Sequence, residues 1–291
     1  MSSRVIRYQD AILEAQNQIL ASDPRAYMLG LGADGPTGVF GTTSNMVEQF
    51  GRDRVVDMPA SENAMTGIAL GTALMGRRPI MVHMRMDFAI LAMEPLINQI
   101  AKWHYMYGGH MVAPLTVRMI VGRGWGQGPQ HSQALQSWYA HIPGLKVVMP
   151  TTAHDVKGML IAAAEDDAPV IIVEHRWLYG IKGYVPEEMY RVPLDQAAVV
   201  RKGKHVTLAA TSYMTLEALR AADVLSEIGI DASAQTSKIL HLFLDEPFDY
   251  VITVCDAAND ACPIFPNGGQ RMHWSLPDPS KVGGSEERQL E

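Results

Sequence analysis

Apolar positions along this chain fall into two periods that take turns. Residues 8–21 read as an amphipathic helix, and residues 26–32 form a short apolar run ending in a glycine-rich turn, the pattern of a buried strand. The exchange then repeats. Strands are predicted over residues 54–57, 78–83, 115–121, 146–149 and 170–174, and helices over 62–75, 92–107, 133–139 and 155–166. Strands alternating with helices at this interval predict an α/β fold, a doubly wound, largely parallel sheet covered on both faces. Residues 179–203 are turn-rich and of mixed charge, which predicts a boundary before a strand at 205–210 and a helix at 215–228. The expected organisation is one domain over residues 1–180, a linker over 181–204, and a smaller α/β segment over 205–291.

Composition narrows the class of protein. At 291 residues and 47% hydrophobic, the chain can bury one large core or two modest ones. A net charge of −7 with interspersed Lys and Arg, and no basic run, argues against a nucleic-acid partner. The N-terminal stretch has no apolar signal core, and no apolar run approaches the roughly 20 residues a membrane helix needs, so no membrane partner and a cytoplasmic location are expected. Cys255 and Cys262 are too few for a secreted disulfide scaffold.

The strongest chemical signal is Glu62-Asn63-Ala64-Met65-Thr66-Gly67-Ile68-Ala69-Leu70-Gly71, a carboxylate leading a helix whose glycines fall four residues apart. The stretch resembles the signature of thiamine diphosphate enzymes. Further stretches match in order: Arg54-Val55-Val56-Asp57-Met58-Pro59-Ala60-Ser61-Glu62, Met86-Asp87-Phe88, Leu96-Ile97-Asn98-Gln99-Ile100-Ala101-Lys102, Gln130-His131-Ser132-Gln133 and Pro143-Gly144-Leu145-Lys146-Val147-Val148-Met149-Pro150. Together they make residues 8–232 similar to the beta subunit of the decarboxylating component of 2-oxo acid dehydrogenases, a thiamine pyrimidine-type domain.

That resemblance implies roles for named residues. Glu62 would share a proton with the cofactor's aminopyrimidine, a task suited to a partly desolvated carboxyl group. Phe88 would lie against the same ring, and His131 would face the substrate and the incoming lipoyl group. The family's Gly-Asp-Gly stretch for Mg²⁺ is missing; Gly32-Ala33-Asp34-Gly35 has neither its spacing nor its place. In the resembled family the Mg²⁺ and diphosphate site lies on an alpha subunit. The implied assembly is α₂β₂, decarboxylating a 2-oxo acid and passing the acyl group to a lipoyl-bearing acyltransferase. Ala163 and Asp166 match positions where some beta subunits hold K⁺, against the simpler reading of a helix C-terminus.

The tail reads differently. Phe248-Asp249-Tyr250-Val251-Ile252-Thr253-Val254-Cys255-Asp256, Ala261-Cys262-Pro263-Ile264-Phe265-Pro266 and His273-Trp274-Ser275-Leu276-Pro277-Asp278-Pro279 resemble the second half of a low-molecular-weight phosphatase-like arsenate reductase, which makes the chain a chimera. In that family Cys255 and Cys262 would form a disulfide relay. The Cys-x5-Arg loop that binds the oxyanion is absent, so reductase activity is not expected. The competing function is a non-catalytic fused remnant, or a redox-responsive module using Cys255 and Cys262.

Overall fold

The computed structural model describes residues 4–122, 127–203, 205–227, 234–236, 248–253 and 268–273. The chain divides into two compact units, Met1–Ser237 and Lys238–Glu291. Strand β1 (Val5–Arg7) runs directly into α1 (Tyr8–Ser22), followed by β2 (Ala26–Gly30), α2 (Met46–Phe50), β3 (Val55–Asp57), α3 (Glu62–Leu74) and β4 (Arg78–His83). Then come α4 (Met86–Ala89), α5 (Trp103–Met106), β5 (Thr116–Val121), α6 (Gln136–Ala140), β6 (Lys146–Val148), α7 (Ala153–Glu165) and β7 (Val170–His175).

Six strands form one sheet in the order β3-β2-β4-β5-β7-β6, and every pairing is parallel. Side chains on a strand alternate between faces, so a strand buried on both sides must be apolar throughout. The sequence obeys this at most positions, the exceptions including Arg118 on β5 and Glu174 on β7, which are buried as a pair. Met28, Ile80, Val82, Ile120, Val170 and Ile172 join α1 and α7 in one core, while Leu29, Met81, Val117, Met119, Ile171 and Val173 join α3 and the stretch after β4 in the other. The hydroxyl of Thr152 caps α7 by accepting the Asp155 amide at 3.0 Å.

Three local expectations are revised. The predicted helix over 92–107 is instead a broken path: α4, a tight turn at Ile90–Ala92, a π-helical stretch at Glu94–Ile100, then α5. Pro95 offers no amide there, and the Ala101 N–H reaches back five residues to the Leu96 carbonyl at 3.0 Å. Residues 205–210 form no strand. The ladder lies earlier, in β9 (Val199–Lys202), which pairs antiparallel with β10 (Ala234–Thr236). The third revision is at 133–139, where α6 starts later, at Gln136, after a single turn at Pro129–His131.

The segment expected as a linker packs back on the sheet domain. Its β8 (Lys182–Tyr184) pairs antiparallel with β1, and buried Lys157 donates to the carbonyls of Pro186, Glu187 and Glu188 and to Glu14. Helix α8 (Tyr213–Glu227) follows. In the second unit, β11 (Phe248–Thr253) and β12 (Gly268–His273) pair in parallel.

Candidate cofactor cleft

Two strand connections leave in opposite directions at the middle of the sheet. From β2 the chain moves outward to β3; it then crosses back to lay β4 on the other side of β2 and continues to β5. Such a switch point leaves a crevice at the carboxyl ends of the two central strands, the usual ligand position in open α/β sheets. Here the crevice lies between Leu31, after β2, and Val82 to Arg85, at the end of β4, with Pro59 to Glu62 and Met65 as a third wall and Phe88 at its side. The Asp57 carboxylate accepts the Gly32 amide at 2.6 Å, tying the end of β3 to the loop after β2.

Glu62 is the first residue of α3 and half-buried, where the unpaired amides of the first turn favour a carboxylate. Behind it, Gly67 and Gly71 are exposed, and a methyl group added at either would meet nothing within 4 Å. Their open face is therefore turned away from the chain's own core. Phe88 is 37% exposed and meets the His131 ring edge-on, with centroids 5.1 Å apart and planes at 78°. The Nδ1 atom of His131 is buried and has no hydrogen-bond partner among the described residues. The structure thus brings Glu62 and Phe88 to one cleft, and His131 to Phe88.

Sequence reasoning missed several residues here. His83 ends β4 and lines the cleft; burial pushes its imidazole down to about 4, and its Nε2 has no hydrogen-bond partner among the described residues. His175, at the end of β7, is also lowered to about 4, by burial and then by the nearby Arg85 guanidinium. A deeper group lies under α1. Arg118 is fully buried and donates to both Glu174 oxygens at 2.5 and 2.8 Å, to Gln16 at 2.7 Å and to the Thr42 hydroxyl at 3.0 Å, while Tyr179 donates to Glu174 at 2.7 Å. Each guanidinium nitrogen and both carboxylate oxygens of this buried ion pair have a hydrogen-bond partner, which favours its being tolerated.

At the end of α7, the Arg78 guanidinium donates to the Ala164 carbonyl at 3.2 Å, the Asp166 carbonyl at 3.0 Å and the Asp167 carboxylate at 2.5 Å. The Ala163 carbonyl accepts the Asp166 amide at 3.3 Å. Both K⁺ candidates thus already accept or sit beside internal donors. Among the described residues no group of three or more His, Cys, Asp or Glu is placed to hold a metal ion, and no helix is long and apolar enough to cross a membrane. Cys255 and Cys262 lie outside the described residues.

The parallel sheet places a carboxylate, Glu62, and an aromatic ring, Phe88, beside its switch point. Residues 4–182 match the family described as "Transketolase, pyrimidine binding domain". The chain is 40% identical over 278 residues to the acetoin:2,6-dichlorophenolindophenol oxidoreductase subunit beta of Cupriavidus necator, spanning 90% of this chain and 82% of that protein. It is 38% identical over 281 residues to the Bacillus subtilis protein of the same name, with the same coverage, and 38% over 226 residues to the pyruvate dehydrogenase E1 component subunit beta of Rickettsia felis, spanning 78% and 69%. The chain belongs to this family of beta-type subunits of thiamine-diphosphate-dependent 2-oxo acid dehydrogenases. A solved structure described as "Split gene transketolase, inactive beta4 tetramer" shares the fold, with a TM-score of 0.69 and 21% identity over 93% of this chain and 90% of that one. Residues 8–232 make up only about four fifths of the chain, so a match over 90% of it runs into the tail.

Proposed function

We propose that this chain, with an alpha subunit, decarboxylates a 2-oxo acid and passes the acyl group to lipoamide. The observation that carries the reading is the meeting of Glu62 and Phe88 at the switch-point cleft. One carboxylate, one aromatic face, apolar walls from Leu31, Met65 and Val82, and the unpartnered Nε2 of His83 form a donor set that fits an aminopyrimidine. The cleft alone holds about 40 Å³, room for water but far below the several hundred Å³ of an ordinary cofactor site. A second surface must complete it.

Thiamine diphosphate, when bound, supplies the electron sink that decarboxylation needs. Glu62 would share a proton with the aminopyrimidine, Phe88 would pack against it and exclude water, and His131 would handle a proton on the substrate and lipoyl side. Mg²⁺ would come with the alpha subunit, since this sequence has no Gly-Asp-Gly stretch. An α₂β₂ complex with a lipoyl-bearing acyltransferase, in the cytoplasm, completes the proposal. Bound K⁺ at Ala163 and Asp166 would compete with Arg78, which already serves the Asp166 carbonyl.

The names of the Cupriavidus and Bacillus relatives favour a second reading of the substrate, acetoin in place of a 2-oxo acid. For the tail, the reductase likeness rests on sequence, and Cys255 and Cys262 are read as a structural remnant. A boundary near residue 180 is supported by a family match ending at residue 182, while residues 182–188 pack on the sheet domain and do not form a free linker. The test is co-expression with an alpha-type subunit carrying Gly-Asp-Gly, followed by separate assays on pyruvate and on acetoin. Copurification and thiamine-dependent turnover of one of them is the expected result; no complex, or no turnover of either, counts against the proposal.

A further inference from the structure

We infer that Arg85 and Asp87 are positioning residues for His131, clamping residues 127–133 to the end of β4 at two points. The inference rests on the role proposed for His131, which depends on where that imidazole is held. Arg85 is only 3% exposed, and its guanidinium reaches in two directions. One nitrogen donates to the Gly122 carbonyl, just past β5, at 2.6 Å, and another to the Gln127 side-chain oxygen at 3.0 Å. That fixes the near end of the segment. Asp87 is 7% exposed, and its Oδ1 accepts both the Gln133 backbone N–H at 3.1 Å and the Gln133 side-chain amide at 2.9 Å. That fixes the far end.

Between the two points the segment is held from within. The Gly128 carbonyl accepts the His131 amide at 3.3 Å and the Ser132 hydroxyl at 3.0 Å, closing the turn that contains Pro129. Phe88, next in sequence to Asp87, meets the His131 ring, and the sulfur of buried Met86 accepts the Leu135 amide at 3.2 Å. Arg85, Asp87 and Phe88 therefore touch the segment, and Met86 holds Leu135 just past it. An edge-on aromatic contact alone is too weak to keep a loop histidine in one place. Two charged groups buried beside it, each making charge-assisted hydrogen bonds, supply the constraint.

Hydrogen exchange on the full chain tests this directly, because the Gln133 amide is itself a clamp hydrogen bond. Asp87→Ala should speed exchange at Gln133 and Ser132 by about tenfold or more, whereas Asp87→Asn, which keeps the accepting oxygen, should stay within about threefold of the parent. Arg85→Gln should loosen residues 127–131, and it carries the test if Asp87→Ala does not fold. Exchange in β7 should not change in any variant, which separates local release from general destabilisation. Unchanged exchange at Gln133 in Asp87→Ala, or equal loosening in the Asn variant, overturns the clamp. In the assembled complex the clamp variants should lower kcat for acyl transfer with little change in KM. Faster exchange with unaltered kcat would leave the clamp standing and remove the role of His131, so the two failures are distinguishable.

Discussion

His131 packs on Phe88 beside the cleft that buried His83 lines. The His131 ring lies at the outer side, so His131→Ala should leave cofactor activation intact and slow acyl transfer in the assembled complex by about 10²-fold, the usual scale for losing a general acid or base. Stopped-flow acylation of a lipoyl domain measures this, and a wild-type rate would remove His131 from the mechanism. His83 is buried and neutral, with its imidazole lowered to about 4 by desolvation. An unfolded chain takes up that proton near pH 6.5 while the native one does not, so stability falls as pH drops from about 6.5 to 4. His83→Phe removes the titration and the unpartnered Nε2, and should flatten the decline by about 2 kcal/mol between pH 7 and pH 5. Urea unfolding at the two pH values decides it; parallel declines in parent and variant would show that His83 ionises freely in the native state. Glu62, Phe88 and His131 were legible because each sits in a short ordered motif. His83, Arg85 and the Arg118–Glu174 pair were not, since a charge buried by partners 56 residues away leaves no local pattern.

The elements differ in how much of them local sequence determines. Strands β2, β4, β5 and β7 read directly as apolar runs because both their faces are covered. Helix α3 read correctly to within a residue, and the stretch after β4 did not. There the hydrogen-bond pattern depends on Pro95 and on a tertiary contact: Gly144, at φ +100°, approaches so closely that a methyl group on it would collide with the Ala101 carbonyl. Gly144→Ala should therefore destabilise the chain by more than about 2 kcal/mol, from backbone strain and from displacement of the π-helical turn's end. Thermal unfolding measures it, and a change below about 0.5 kcal/mol would show that the contact relaxes at little cost. The strand expected at 205–210 failed for a related reason. A strand needs a partner, and of residues 199–203 and 205–210 only Val199–Lys202 finds one, in β10.

At the scale of the first unit, the cleft is open on one side. It is walled by Glu62 and Phe88 yet too small for a cofactor, and α3 turns Gly67, Gly71, Ile68 (48% exposed) and Met75 (85% exposed) away from the unit's own core. An apolar helix face with small residues is suited to close approach by another surface. Titration of the purified chain with thiamine diphosphate and Mg²⁺ should accordingly show weak binding and no turnover, whereas tight Mg²⁺-dependent binding by calorimetry would mean that the site is complete without a partner. The parallel sheet followed from the sequence pattern, and the position of its switch point came from the strand order. The openness of the site did not, because it is a property of surface left uncovered by the chain's own elements.

Glu62 as the proton partner of the cofactor is the claim on which the rest depends, and proton exchange at the cofactor's C2 position in the assembled complex tests it most directly. Glu62→Gln keeps the size and one hydrogen-bonding oxygen of the side chain but cannot share a carboxyl proton. The variant should still assemble, and its exchange rate should fall by about 10²-fold or more relative to the parent complex. Exchange at the parent rate in a fully assembled Glu62→Gln complex would contradict the assignment.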